Sequence, residues 1–385
     1  MGRLFEWFVE VWDWLRRASG LDRMSKSKRE AELEGRSLFA RILYWGRPVV
    51  ALFVVLYVVS LVSRFSVIHG DDLSYPQTVM TPDWPTGLPG EPVPGGGCAP
   101  SATVAMTARI LDILVNQNTW APSDPQYKIG WFGVAGFEPG PFFDNKASFQ
   151  MGAMGAVRRM SIELVDLLGR ARGTSAADPD LQDARGAVQW NERSWILNPF
   201  DSRLPLLSTS APTSYRSAID NYSEYNAKLA ACDALFDSRS DNLFQLLDRI
   251  ANDVGGMTDQ LATRSKGDAW SVTDKALVPA AGNNLGFFDF EADNLFYEAH
   301  GMMWAYHGIL QALRQDFSGV VAGANLGQIW DRMEAHVAES ASLEPLIVSN
   351  GREDSAFTPD HLSAMAANML RARANMTEIR EVLAR

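Results

Sequence analysis

Residues Ile42 to Ser63, ILYWGRPVVALFVVLYVVSLVS, constrain this chain more than any other stretch. Twenty-two residues of helix reach about 33 Å, enough to cross a hydrocarbon core of about 30 Å. Its one charge, Arg47, lies near the N-terminal end, where a long cationic side chain snorkels to the interface. Tyr44 and Trp45 fit the interfacial aromatic belt. No small-x-small cleavage pattern follows in SRFSVIHGDD, and the preceding segment is too long for a secretory leader. The stretch therefore predicts an uncleaved single transmembrane helix over residues 42–66. With no strongly polar residue at its middle, it forms no pathway by itself and reads as a tether.

Orientation follows from the flanks. Arg29, Arg36, Arg41 and Arg47 precede or open the span, while only Arg64 follows it before Asp71 and Asp72. Basic flanks stay in the cytoplasm, which predicts a bacterial inner-membrane protein with an inside N-terminus and a periplasmic C-terminal domain. The charge balance splits the same way. Through Ser63 there are 10 basic and 7 acidic residues; beyond it there are 25 and 39. So acidic a domain repels phosphates, which argues against a nucleic-acid partner.

Residues 1–41 read as a cytoplasmic amphipathic and basic segment. In MGRLFEWFVEVWDWLRR the polar residues recur every three or four positions, and Trp7, Trp12 and Trp14 fill a wide aromatic side. Such a helix lies among lipid headgroups or docks on a membrane partner. Residues 67–100 are rich in Pro and Gly and predict an extended, weakly ordered linker. Cys98 and Cys232 are the only cysteines. They either pair in an oxidising compartment, or stand apart as a loop thiol and a small buried residue.

From residue 101 to 385 the periodicity is helical, with no convincing alternation of strand residues. Helices are predicted over Ala102–Val115, Asn145–Arg172, from Asp178, across Tyr215–Leu261, over Asp289–Asp316 and Gly327–Ala341, and from a Thr358 cap to Ala384. The fold class is all-α: an amphipathic helix, one transmembrane helix, then a bundle of long antiparallel helices.

Within the bundle FDSRSDNLF (236–244) and FDFEADNLF (288–296) share six of nine positions. If each is helical, Asp237/Asp241 and Asp289/Asp293 lie on one face at i, i+4, where like charges repel and need compensation. Helix capping, arginine pairing, or a shared divalent cation would each supply it. The cation reading makes these four aspartates the candidate metal or structural carboxylates. His300 and His307 are two turns apart and read as packed core histidines. Gly130–Phe143 (GWFGVAGFEPGPFF) offers Trp131, Phe132 and Phe137 as interaction candidates, or as a plug for one end of the bundle.

Taken together, the apolar span, YRSAIDNYSEYNAKLA, FDSRSDNLFQLLDRIANDVG, DFEADNLFYEAHGMMWAY and NGREDSAFTPDHLSAMAANMLRAR resemble a family of mainly proteobacterial membrane proteins, a DUF2333-like domain of unknown function. The resemblance supports the anchored, helical reading and carries no reaction, cofactor or site residue with it. No nucleophile elbow, zinc-protease motif, Cys-x-x-Cys or phosphate loop is present. The sequence thus predicts no catalytic residue and no cofactor. It favours a scaffold or accessory subunit over an enzyme, self-associating or joined to another inner-membrane protein and to the bilayer. The alternative is a periplasmic ligand- or cation-binding module, with hydrolysis conceivable, built on the repeated carboxylates.

Overall fold

The computed structural model describes residues 38–130, 144–170, 176–199, 201–279, 289–345, 347–351, 355 and 357–385, with side chains from Val49 onward except that of Phe290. The interaction candidates Trp7, Trp12, Trp14, Trp131, Phe132 and Phe137 lie outside the described residues. The chain divides into two compact units, Met1–Ser63 and Arg64–Arg385.

In the first unit, helix α1 (Leu38–Phe65) runs on through Arg64 into the second. Among the described residues no helix is long and apolar enough to cross a membrane; the described side chains of α1 begin at Val49.

The second unit is all-α as predicted. Its helices are α2 (Ala102–Asp112), α3 (Pro125–Ile129), α4 (Asn145–Glu163), α5 (Pro179–Val188), α6 (Ala211–Ala230) and α7 (Ser240–Ser265). After the strands β1 (Asp268–Ser271) and β2 (Ala276–Pro279) come α8 (Phe290–Asp316), α9 (Ser318–Gly323), α10 (Gly327–Ala341) and α11 (His361–Leu383). Their starts are set by local chemistry: Ser101, Asp124, Asp178, Ser210, Asp289 and Asp360 each cap a helix by accepting a backbone N–H. The last differs from the expected Thr358 cap by two residues. The long 215–261 pattern is two helices, because Cys232 takes a left-handed φ of 63° just past α6 and turns the chain. The β1–β2 hairpin was not expected; four residues per strand are too few for alternation to show.

The bundle is not uniformly antiparallel. α7 opposes both α4 and α8, since Arg159 pairs with Asp253, Arg249 with Glu163, and Arg264 with Asp289. The central pair α4 and α8 nevertheless runs in the same direction: Ser148 bonds Asn294 near their starts, while farther along both meet Asp253, through Arg159 and Tyr306. Gly152 and Gly301 allow this contact, for a Cβ on either would sit against backbone of the other helix, at Glu298 and Phe149. Glu163 is fully buried between Arg159 and Arg249, so the central helices are tied by a charged network as well as by core packing.

Residues 67–100, expected as a loose linker, form a strap fastened to the helices. Asn118 exchanges two hydrogen bonds with the His69 backbone, and Tyr75 is buried against Trp304 with ring centroids 4.5 Å apart. At the far end Cys98 donates its N–H to Ala230 O and is disulfide-bonded to Cys232, with Cα atoms 5.3 Å apart. The Pro and Gly residues here shape tight turns, because side-chain anchors at intervals remove the freedom their composition alone implies.

Candidate functional site

The two copies of the repeated motif are not structurally equivalent. In the first, Asp237 lies ahead of α7, which begins at Ser240, so Asp237 and Asp241 are not i, i+4 neighbours on a helix. Both pair with Arg239, at 2.9 and 3.7 Å, and the Asp237 backbone N–H bonds Leu168 O. In the second, Asp289 is itself the cap of α8 and lies buried, accepting from Ala292 N, Arg264 and Asn350. Capping and arginine pairing thus account for three of the four aspartates. The copies also sit at opposite ends of α7, because Asp237 adjoins its start and Asp289 holds Arg264 in its last turn. Some 24 residues of helix separate those ends, about 36 Å, so the four carboxylates do not share a site.

Asp293 stands apart from the other three. Its carboxylate interacts with that of Asp144, which lines a cleft of about 600 Å³ together with Tyr127, Lys128, Ser148, Arg193, Asp201, Asn294 and Glu298; Asp293 itself lies behind that lining. The parallel packing of α4 and α8 builds this site by bringing two helix N-termini together. Ser148 donates to Asn294 Oδ1 at 2.9 Å, and the Asn294 side chain in turn bonds the Asp144 carboxylate. Among the described residues three buried acceptor oxygens near this pair have no hydrogen-bond partner: Asp144 Oδ1, Asn145 Oδ1 and Asp293 Oδ1.

The electrostatics follow from that crowding. Burial, reinforced by the neighbouring Asp144 carboxylate, pushes the Asp293 carboxyl up to about 7. Burial raises Asp144 and Glu298 as well. The positive ends of the α4 and α8 dipoles soften the repulsion without supplying a donor to the three orphan oxygens. Crowded, buried carboxylates of this kind favour the protonated over the ionised form. Among the described residues no group of three His, Cys, Asp or Glu side chains is arranged to hold a metal ion. A cation here would rely on the two aspartates with amide and hydroxyl oxygens.

The histidines are placed as core residues. His300 Nε2 lies 2.9 Å from Ala341 O and His307 Nε2 lies 3.2 Å from Leu73 O; burial lowers the pKa of both. Sequence reasoning singled out the repeated motif that contains Asp293 and Asn294, and of these two Asn294 lines the cleft. Asp144 and Glu298 gave no pattern to notice, since their proximity comes from two glycine contacts far apart in the chain.

Fold and site together define an all-α protein with a disulfide-fastened strap and a carboxylate cleft between parallel helix starts. The chain belongs to the bacterial family described as "Uncharacterized protein conserved in bacteria (DUF2333)", whose pattern matches residues 128–385 and so includes most of the cleft lining and most of the bundle. No curated protein and no solved structure matches it.

Proposed function

We propose that this protein is held in the bacterial inner membrane by α1 and presents its helical unit to the periplasm as a non-enzymatic scaffold or accessory subunit of an envelope complex. The observation that carries this reading is the surface of α1. Val49, Val50, Leu52, Phe53, Val54, Leu56, Val59 and Val62 are all exposed, and at about 100° per residue they fall on every side of the helix. No charge lies between Arg47 and Arg64. Apart from Leu61 and Phe65, which are buried near its C-terminal end, the helix presents apolar side chains in all directions, which suits lipid and not a one-sided core contact. The Cys98–Cys232 pair supports an oxidising compartment for the strap and bundle.

The test is alkaline extraction of membranes, protease digestion of spheroplasts, and crosslinking after mild-detergent purification. Retention in the alkaline pellet, cleavage of the bundle from outside, and a stoichiometric crosslinked complex are expected. Release at alkaline pH, or a clean monomer, would overturn the anchor or the scaffold role respectively.

A second reading, a divalent-cation-binding module, is favoured by one observation: the orphan oxygens of Asp144, Asn145 and Asp293. It retains Asp293 of the repeated motif and none of the other three aspartates. Thermal stability with calcium, magnesium or chelator tests it; no shift with any of them would sink it.

A further inference from the structure

The cleft lined by Asp144 contains unpaired groups of both charges. Asp144 stands at the N-cap position of α4, yet its side chain accepts from none of the helix amides, unlike Asp289 at the start of α8. It is only 9% exposed, and its Oδ1 has no hydrogen-bond partner among the described residues. Capping, the usual employment of an aspartate at this position, therefore does not explain it. Glu298 follows Asn294 by one turn on the same face of α8 and also lines the cleft. Burial alone raises its carboxyl, with no cation or hydrogen bond beside it to bring it down.

The cations of the lining come from α3 and from the segment that follows α5. Lys128 of α3 donates to Arg193 O at 2.7 Å, which joins the two. Asp201 lies in the same part of the lining and supports the Lys128 charge that burial disfavours, so it offsets one of the two cations. Glu192 is taken up by Arg158 at 2.9 Å. One positive charge is left over, and the exposed Arg193 guanidinium has no ion pair among the described residues. Tyr127 stands within reach of both sets. Burial raises its hydroxyl pKa, the Asp144 carboxylate adds to the rise and Arg193 opposes it. Asp144 and Arg193 thus both act on Tyr127, and no ion pair joins them to each other.

Opposite charges that share a cleft and stay unpaired call for a partner from outside that carries both signs. A bare divalent cation would answer Asp144 and be repelled by Arg193 and Lys128; a bare anion would meet the reverse. We propose that the cleft binds a small zwitterion, its primary ammonium held by Asp144 and Glu298 and its carboxylate by Arg193 and Lys128. An ammonium brings three donors to the orphan Asp144 oxygen and to Glu298. The guanidinium fork of Arg193 suits a carboxylate. Ala147 and Met151 of α4 give the carbon chain between the two charges an apolar wall. A volume of about 600 Å³ falls among small-ligand sites of about 300–1,000 Å³. The proposal does not depend on the anchored scaffold reading, and it places an ammonium where the second reading places a metal ion.

The test is isothermal titration calorimetry of the purified full chain in EDTA, which removes any divalent cation. The probes are glycine, β-alanine, γ-aminobutyrate and ε-aminocaproate, whose ammonium and carboxylate stand progressively farther apart. Butylamine and butyrate carry one of the two charges each. Expected is saturable binding of at least one amino acid, about tenfold or more tighter than either control. Asp144→Asn and Arg193→Gln should each weaken it about tenfold, with thermal melts to confirm folding. The exposed Arg193 can change without disturbing the core, so the second variant serves even if the first fails to fold. Butylamine or butyrate binding as tightly as the amino acids overturns the proposal, and so does no heat from any probe up to about 10 mM. Unchanged affinity in a folded Arg193→Gln variant places the ligand elsewhere and overturns it as well. Binding that appears only when calcium or magnesium replaces EDTA overturns it in favour of the divalent-cation reading. None of these outcomes moves membrane retention or crosslinking, so the scaffold reading is judged separately.

Discussion

The Tyr75 hydroxyl accepts a hydrogen bond from the Gly308 amide at 3.0 Å and donates one to Trp304 O at 2.9 Å. The Trp304 carbonyl and the Gly308 N–H are acceptor and donor of one helical rung, so a side chain from the strap is built into the hydrogen-bond ladder of α8. Gly308 permits it, because a Cβ there would strike the Tyr75 ring and hydroxyl. This fastening makes the strap part of the fold and not a leash.

Tyr75→Phe keeps the ring against Trp304 and removes the hydroxyl alone. It should lower unfolding free energy by about 1–2 kcal/mol, measured by denaturant titration. Gly308→Ala should cost more, since it displaces the whole ring. Hydrogen exchange should rise in residues 67–100 of both variants; unchanged protection would show that the strap is held without this contact.

The disulfide closes a loop with a sequence separation of 134. In the chain-entropy account so long a loop contributes about 4–5 kcal/mol. Cys98→Ser, Cys232→Ser and the double variant should therefore lose the same amount, about 3–5 kcal/mol, and a reductant should reproduce it in the parent. Additive losses in the double variant would mean that the cysteines act singly.

The cleft gives a pH signature. Asp293 has its carboxyl raised in the folded state to about 7 against an unfolded value of 3.8. A raised group contributes stability that is present in full below its unfolded pKa and is lost as pH rises through its folded pKa. Between about pH 4 and 7 the parent should thus weaken relative to Asp293→Asn, which mimics the neutral carboxyl. The variant should be more stable by about 1–3 kcal/mol at pH 8 and indistinguishable near pH 3.5, compared by thermal melts across that range. A constant difference at every pH would assign Asp293 a packing role instead.

How much of this was legible beforehand depends on the range of the interaction. The caps Ser101, Asp178 and Asp289 and the helical periods are local, so the helices could be read with small errors at their ends. The Cys98–Cys232 pairing was legible as one of two possibilities, because sequence gives no distance across so long a loop. The repeated FDxxxDNLF motif left capping, arginine pairing and a shared cation open for a physical reason. Identical residues were fitted to two different helix starts, one three residues past Asp237 and one immediately after Asp289. The cleft was hidden because it depends on the parallel course of α4 and α8, which no local pattern encodes.

That parallel course rests on Gly152 and Gly301, which gives the final prediction. A methyl group on Gly301 would lie well inside contact distance of the Phe149 carbonyl oxygen, and one on Gly152 would do the same at Glu298. Neither obstacle is a flexible side chain, so the helices themselves must separate. Each glycine-to-alanine change, though it raises intrinsic helix propensity by about 1 kcal/mol, should destabilise the unit by about 2–3 kcal/mol net. Separation would also open the wall of the cleft and admit water to Asp293, so Gly301→Ala should bring its carboxyl down toward 3.8. Carbon-13 NMR titration of the Asp293 carboxyl in parent and variant measures this directly. An unshifted titration in a destabilised variant would separate the helix contact from the chemistry of the cleft.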